Sequence, residues 1–177
     1  MAVAYIERYT YEDYKRWEGR WELIEGMPYA MAPMPIVRHQ KVSNKIAKQL
    51  DELLKNCHKC FATLPVDWKI DENTVVQPDN LVICYDVDDD AAFITKAPSV
   101  IFEVLSPSTA LKDETIKFDL YEREGVKYYV LVNTEDKIAK VYENKNGRFV
   151  KKADATQEKV KFEFECEFEF DFNKIWV

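Results

Sequence analysis

Apolar positions recur along the chain in three rhythms, and each rhythm predicts a different element. Between residues 36 and 56, Val42, Ile46, Leu50 and Leu53 fall on one helical stripe, while Arg38, Lys41, Lys45 and Lys48 fall on another. That pattern predicts a long amphipathic helix. Short continuous apolar runs, Leu81 to Cys84 and Val100 to Leu105, have the length and composition of central strands covered on both faces. In the third rhythm, Phe162, Phe164, Cys166, Phe168, Phe170 and Phe172 alternate with Glu163, Glu165, Glu167, Glu169 and Asp171. A period of two makes this an amphipathic strand with one apolar and one acidic face. It is expected to cover the core; Phe side chains left exposed there would instead mark a dimer contact.

Caps and turn residues place the remaining elements. Thr10 with Asp13 resembles a helix N-cap, giving a short helix over 10–18 that ends at Gly19. Residues 21–25 and 28–31 read as a hairpin turned at Glu25-Gly26. Strands over 60–70 and 74–84 are joined by Asp71-Glu72-Asn73, and 85–96 is an acidic loop before a strand over 98–105. A helix over 110–124 stops at Gly125, a strand over 127–133 follows, and a hairpin over 137–152 turns at Asn144-Lys145-Asn146-Gly147.

A length of 177 residues suits one domain, 1–177, and 47% apolar residues are ample for its core. No apolar run approaches a membrane span and the N-terminus has no signal pattern, so the expected compartment is the cytoplasm. Cys57-His58-Lys59-Cys60 has the spacing of half a zinc site, but no second Cys or His pair completes it in sequence. The four cysteines are therefore expected to be unbridged thiols, with Cys84 in the core. A net charge of −7 argues against a general nucleic-acid binder. The basic stripe from Arg38 to Lys48 is either a phosphate-tracking edge or an ordinary solvated face.

Two carboxylates change the picture. Asp79 and Glu103 sit in apolar segments where a buried charge costs several kcal/mol unless it is paired or bound to a cation. Side by side, those strands would let the pair share a hard divalent cation, with Lys117 nearby. Neither Ser106 nor Ser108 has the flanking glycines or triad partners of a nucleophilic serine, and four glycines form no phosphate loop.

Pro78-Asp79 followed by a strand ending in Glu103 resembles the PD-(D/E)XK nuclease superfamily. The wider set is similar to the putative restriction endonuclease family within it: Trp21-Glu22-Leu23-Ile24-Glu25-Gly26, Met31-Ala32-Pro33, Arg38-His39-Gln40, Phe102-Glu103-Val104-Leu105-Ser106-Pro107, Asp113, Lys117, Tyr121 and Gly125-Val126-Lys127-Tyr128-Tyr129. The likeness spans roughly residues 9–143. It implies an α/β restriction-endonuclease-like fold with an αβββαβ core over about 36–133, a mixed central sheet flanked by helices, an N-terminal hairpin and C-terminal strands. The element order read from the residues agrees with that core.

The resemblance also implies a Mg2+-dependent endodeoxyribonuclease, with Mn2+ as a substitute ion, DNA as partner and a homodimer as the assembly. Asp79, Glu103 and the Val104 carbonyl would hold the metal. Lys117 would replace the lysine that the superfamily carries two residues after the glutamate, where this chain has Leu105. Asp113 and Tyr121 share its helix face, and Lys117→Met is expected to stop cleavage while leaving fold and ion affinity nearly unchanged. Glu22 is the candidate further acidic ligand or base, with Glu25 as a competing turn residue. His39 and Arg38 are candidates for phosphate contact or proton transfer. The alternative is a catalytically silent binding or assembly protein on the same scaffold.

Overall fold

The computed structural model describes residues 5–32 and 34–177. Pro33 of the Met31-Ala32-Pro33 motif lies outside the described residues. The chain starts with a short helix α1 (Tyr11–Tyr14) and the hairpin β1 (Trp21–Ile24) and β2 (Met27–Ala30), followed by the long helix α2 (Val37–Leu54). Then come β3 (Phe61–Thr63), β4 (Asp67–Asp71), β5 (Thr74–Val76), β6 (Asn80–Ile83), β7 (Phe93–Ile94) and β8 (Val100–Val104). Helices α3 (Ala110–Glu114) and α4 (Ile116–Arg123) lead to β9 (Tyr128–Asn133), β10 (Ile138–Lys145), β11 (Arg148–Ala155), β12 (Lys159–Glu163) and β13 (Glu167–Asp171).

The central sheet runs β11-β10-β9-β8-β6-β3, with β8 and β9 parallel and the other neighbours antiparallel. A mixed sheet flanked by helices is the expected α/β class. A second sheet, β2-β1-β5-β4-β7, stands beside it. Strand periodicity divides the two faces of the central sheet. Val100, Phe102 and Val104 join Val42, Ile46 and Leu50 of α2 in one cluster, whereas Ile101 joins Leu120 and Tyr121 of α4 in the other.

The hairpin expected from strands over 60–70 and 74–84 is present, but each of its strands is broken in two. Its inner half, β4 with β5, belongs to the second sheet, and its outer half, β3 with β6, belongs to the central one. The breaks fall at Leu64-Pro65-Val66 and Gln77-Pro78-Asp79, where each proline lacks the N–H that a ladder needs. Asp79 therefore stands at the corner between the sheets. The helix expected over 110–124 also breaks, at Thr115 (φ −124°, ψ −79°), whose hydroxyl donates to the Leu111 carbonyl. Within the acidic loop, β7 pairs in parallel with β4, an order that composition alone did not signal.

The tail is the largest difference. The structure folds the expected single strand into the β12–β13 hairpin, turned at Phe164–Cys166, with Phe162 opposite Phe168 and Val160 opposite Phe170. Alternation survives the turn, so Phe162, Phe170 and Phe172 are buried against Phe102, with Phe168 packed on Phe162, while the glutamates face outward. Lys161 bridges the facing acids Glu163 (3.2 Å) and Glu167 (3.0 Å). The apolar face of the tail thus covers the core, as expected from its alternation. Phe170→Ala is expected to cost about 3–5 kcal/mol of stability, read as a lower urea midpoint at unchanged slope.

The cysteines differ from expectation too. All four are paired, Cys57 with Cys166 and Cys60 with Cys84. The first pair is separated by 109 residues in sequence, a proximity created only by the C-terminal hairpin folding back onto the end of α2. Among the described residues, no helix is long and apolar enough to cross a membrane.

Candidate active site

Three elements aim charged side chains into one cleft between the sheets, and strand periodicity explains why. In β8, Ile101 and Glu103 alternate with Val100, Phe102 and Val104, so Glu103 faces α4 instead of α2. Leu81 pairs with Ile101 and Asn80 with Phe102; one more step of the same register sets Asp79 opposite Glu103. In β1, Glu22 shares the face of Ile24, which packs into the α4 cluster, while Leu23 turns away towards Tyr14 and Val75. Lys117, in the first turn of α4, enters from above.

The contacts are close. The Lys117 ammonium lies 2.6 Å from Glu103 Oε1, 2.9 Å from Glu22 Oε1 and 3.5 Å from Asp113 Oδ1. Tyr121 donates its hydroxyl to Glu103 Oε1 (3.1 Å), and the Gln77 N–H donates to Glu22 Oε1 (2.9 Å). Asp79 Oδ2 accepts the Val104 N–H (2.8 Å) and sits 3.3 Å from His39 Nε2. Lys112, which sequence reasoning missed, reaches Glu22 Oε2 at 2.5 Å. Its only advance signal was its place beside Asp113 in the same turn.

Lys117, Glu22, Glu103 and Asp113 are all at most 2% exposed, so these charges interact with little solvent screening. Burial alone would raise the Glu22 carboxyl, but Lys117 and Lys112 override it and hold the group down at about 2. Glu103 goes the other way. Burial pushes it well above the usual carboxylate range; its single ammonium, Lys117, opposes that, while Asp113, Asp79 and Glu22 reinforce it. Burial would lower Lys117, yet Glu103 and Glu22 raise it well above an ordinary lysine. For His39 too, burial works downward, and contact with Asp79 raises it overall.

This burial corrects one expectation. A lysine caged by three carboxylates is part of the fold, and Lys117→Met cannot leave stability unchanged, because it strands buried charge.

The cleft holds about 210 Å3 and is lined by Glu22, His39, Asp79, Glu103, Asp113 and Lys117 together with Ser106 to Thr109, and with Met31, Ala32, Met34, Pro35 and Ile36 on its rim. Met31 and Ala32, His39, and the Ser106-Pro107 motif thus border one depression. A second groove continues from it past His39, Asp79 and Arg20 towards Leu64 and Gln77. Arg38 is exposed on the neighbouring rim and does not touch the carboxylates. Of the rest of the basic stripe, Lys45 is committed to the Trp176 carbonyl (2.7 Å), and Lys41 and Lys48 are solvated. Glu25 is a turn residue, at φ 51° between β1 and β2. Ser106 bonds locally with Thr109, 2.9 Å between hydroxyls.

The donor set suits a hard dication. Four carboxyl groups face two lysines, and no hydrogen bond among the described residues engages Asp79 Oδ1 or Glu103 Oε2. No three carboxylate or imidazole ligand atoms of the described residues come within 4.8 Å of one another here. A cation would therefore depend on two carboxylates, the Val104 carbonyl and water, an oxygen shell of the kind Mg2+ accepts.

Comparison with known proteins adds two findings. The family model described as "Putative restriction endonuclease" (Uma2) matches residues 11–170. Among solved structures, the chain is similar to a putative nuclease belonging to DUF820 from Anabaena variabilis ATCC 29413. The TM-score is 0.78 at 17% identity, over 94% of this chain and 97% of that one, which shows the shared fold. No curated protein matches the chain.

Proposed function

Because the chain belongs to this putative restriction endonuclease family, we propose that it is a Mg2+-dependent endodeoxyribonuclease, able to use Mn2+, that hydrolyses phosphodiester bonds in DNA. The observation that carries the reading is the buried Lys117 ammonium, 2.6 Å from Glu103 and 2.9 Å from Glu22, in the cleft that Asp79 also lines.

Asp79, Glu103 and the Val104 carbonyl would hold the ion, which when bound acidifies water and neutralises phosphate charge. Lys117 keeps its proton, so it acts as a donor, orienting the attacking water and stabilising charge on the phosphoryl oxygens. Glu22 is too acidic, and too fully engaged by Lys117, Lys112 and the Gln77 N–H, to serve as the base; it positions Lys117. His39, 3.3 Å from Asp79 on the cleft wall, is the imidazole placed to exchange a proton with the leaving oxygen. Arg20 and Lys112 line the cleft, and Arg38 stands just outside it; this local cationic rim answers the phosphate backbone despite the net charge of −7.

The test is incubation of supercoiled plasmid with the purified protein and Mg2+ or Mn2+, beside a Glu103→Gln control. Nicked or linear product made by the native protein alone is expected. The silent-scaffold alternative draws on the saturation of Lys117 by carboxylates. It becomes the better account if no nucleic acid is cut with any divalent cation.

A further inference from the structure

The four cysteines come from three separate segments and meet at one edge of the molecule. Cys57 follows α2 by one turn, donating its N–H to the Leu54 carbonyl (2.8 Å). Cys60 directly precedes β3 and Cys84 directly follows β6. Because Phe61 pairs with Ile83, these two cysteines are the next cross-strand pair of the same ladder, 4.1 Å apart between Cα atoms. Cys166 forms the β12–β13 turn, where its carbonyl accepts the Phe164 N–H.

Cys57, Cys60 and Cys166 belong to two different disulfides, yet their sulfurs all lie within 4.8 Å of one another. Cys84 lies outside that mutual set of three but is bonded to one of its members, Cys60, and so adjoins it. Two independent crosslinks have no need to share a centre. A tetrahedral ion with thiolates at about 2.3 Å does need one, since its sulfurs stand roughly 3.8 Å apart. Cys57 and Cys60 carry the two-residue spacer of zinc knuckles, and the missing half of the shell, sought nearby in sequence, is delivered by Cys84 and Cys166 through the fold. Cys60 and Cys166 are buried, while Cys57 opens onto a shallow depression beside Leu53, His58 and Glu165, which gives an ion a way in.

We propose that in the reduced protein Cys57, Cys60, Cys84 and Cys166 bind one Zn2+ as a structural tetrathiolate, with the two disulfides as the oxidised form of the same four sulfurs. Each disulfide takes two electrons and two protons from a dithiol, which itself becomes a disulfide, and zinc then displaces four protons from the four thiols. Soft thiolates select zinc here while hard oxygens select Mg2+ in the cleft, so the two sites take different ions and stand independently. A zinc ion at this edge pins the C-terminal hairpin to α2 and to the outer strands of the central sheet.

The test uses the full chain, reduced by a dithiol without air and freed of reductant and metal, with Co2+ as probe. One Co2+ per chain, giving thiolate-to-cobalt charge-transfer absorption and tetrahedral d–d bands, with displacement by one Zn2+, is expected. Glu103→Gln should leave the titration unchanged. Cys84→Ser and Cys166→Ser should each weaken binding by more than the roughly 10–100-fold typical of a lost outer-shell partner. Circular dichroism separates ligand loss from unfolding, and the native titration stands by itself if a variant does not fold. Four reactive thiols per chain with no charge-transfer band would overturn the proposal, as would full binding retained by either cysteine variant or disulfides that resist the dithiol in the folded protein.

Discussion

Lys117→Met is expected to lower DNA cleavage by at least about 10²–10³-fold, the usual cost of removing a preorganised donor from a site of developing charge. The same substitution is expected to cost about 3–5 kcal/mol of stability in the ion-free protein, because Glu22, Glu103 and Asp113 then share a buried pocket without the ammonium between them. The two losses should separate on adding a divalent cation. Neutralising the carboxylates restores much of the melting temperature, whereas no ion replaces the donor that orients water, so cleavage stays low. Paired melting curves and plasmid assays with and without Mn2+ measure both. Wild-type cleavage by Lys117→Met would remove the lysine from the mechanism; stability unaffected by the substitution would contradict its burial between the acids.

Asp79→Ala is expected to abolish Mn2+ binding measured calorimetrically, and cleavage with it. Asp79 does two jobs, and the variant shows which dominates. Through Oδ2 it fastens the Val104 N–H and His39, and Oδ1 is left for the cation. Asp79→Asn keeps the size and the acceptor for Val104 but loses the charge. Loss of binding in both variants with normal melting identifies a ligand. Loss of melting temperature in Asp79→Ala alone, with Mn2+ binding intact in both, would make Asp79 a structural clamp at the corner of the two sheets. Glu103→Gln differs in sign: it relieves a carboxyl that burial already disfavours, so it should stabilise the ion-free protein while removing the ion.

Much of this was legible because strands repeat every two residues. Glu103 stood out as a charge inside an apolar run and Asp79 as one just before another, and the β6–β8 register, carried one step past Asn80, sets them opposite one another. Helical spacing likewise brought Asp113 and Tyr121 to the face of Lys117, where one lies 3.5 Å from its ammonium and the other donates to its partner Glu103. What sequence hid was long-range. Nothing local tells Lys112 that Glu22 is within reach, or that the Cys57 pair closes through a turn more than a hundred residues away. The tail was read correctly as amphipathic and incorrectly as one strand, because alternation fixes which face is apolar but carries no information about a reversal at Phe164–Cys166. The break between α3 and α4 was hidden likewise: Thr115 is tolerated in helices, and its departure is a matter of tertiary fit.

The hairpin that closes one face of the central sheet also sets a timetable for the nascent chain. Phe102 waits for Phe162, Phe170 and Phe172, which are translated sixty or more residues later. Until that hairpin is made, the part of this face that α2 leaves uncovered remains an open apolar surface on the strand that carries Glu103. Contacts of such long sequence separation slow folding and leave partly folded chains exposed to aggregation. A cleft built on that strand therefore matures late, only once the C-terminal hairpin has been made and folded back onto it.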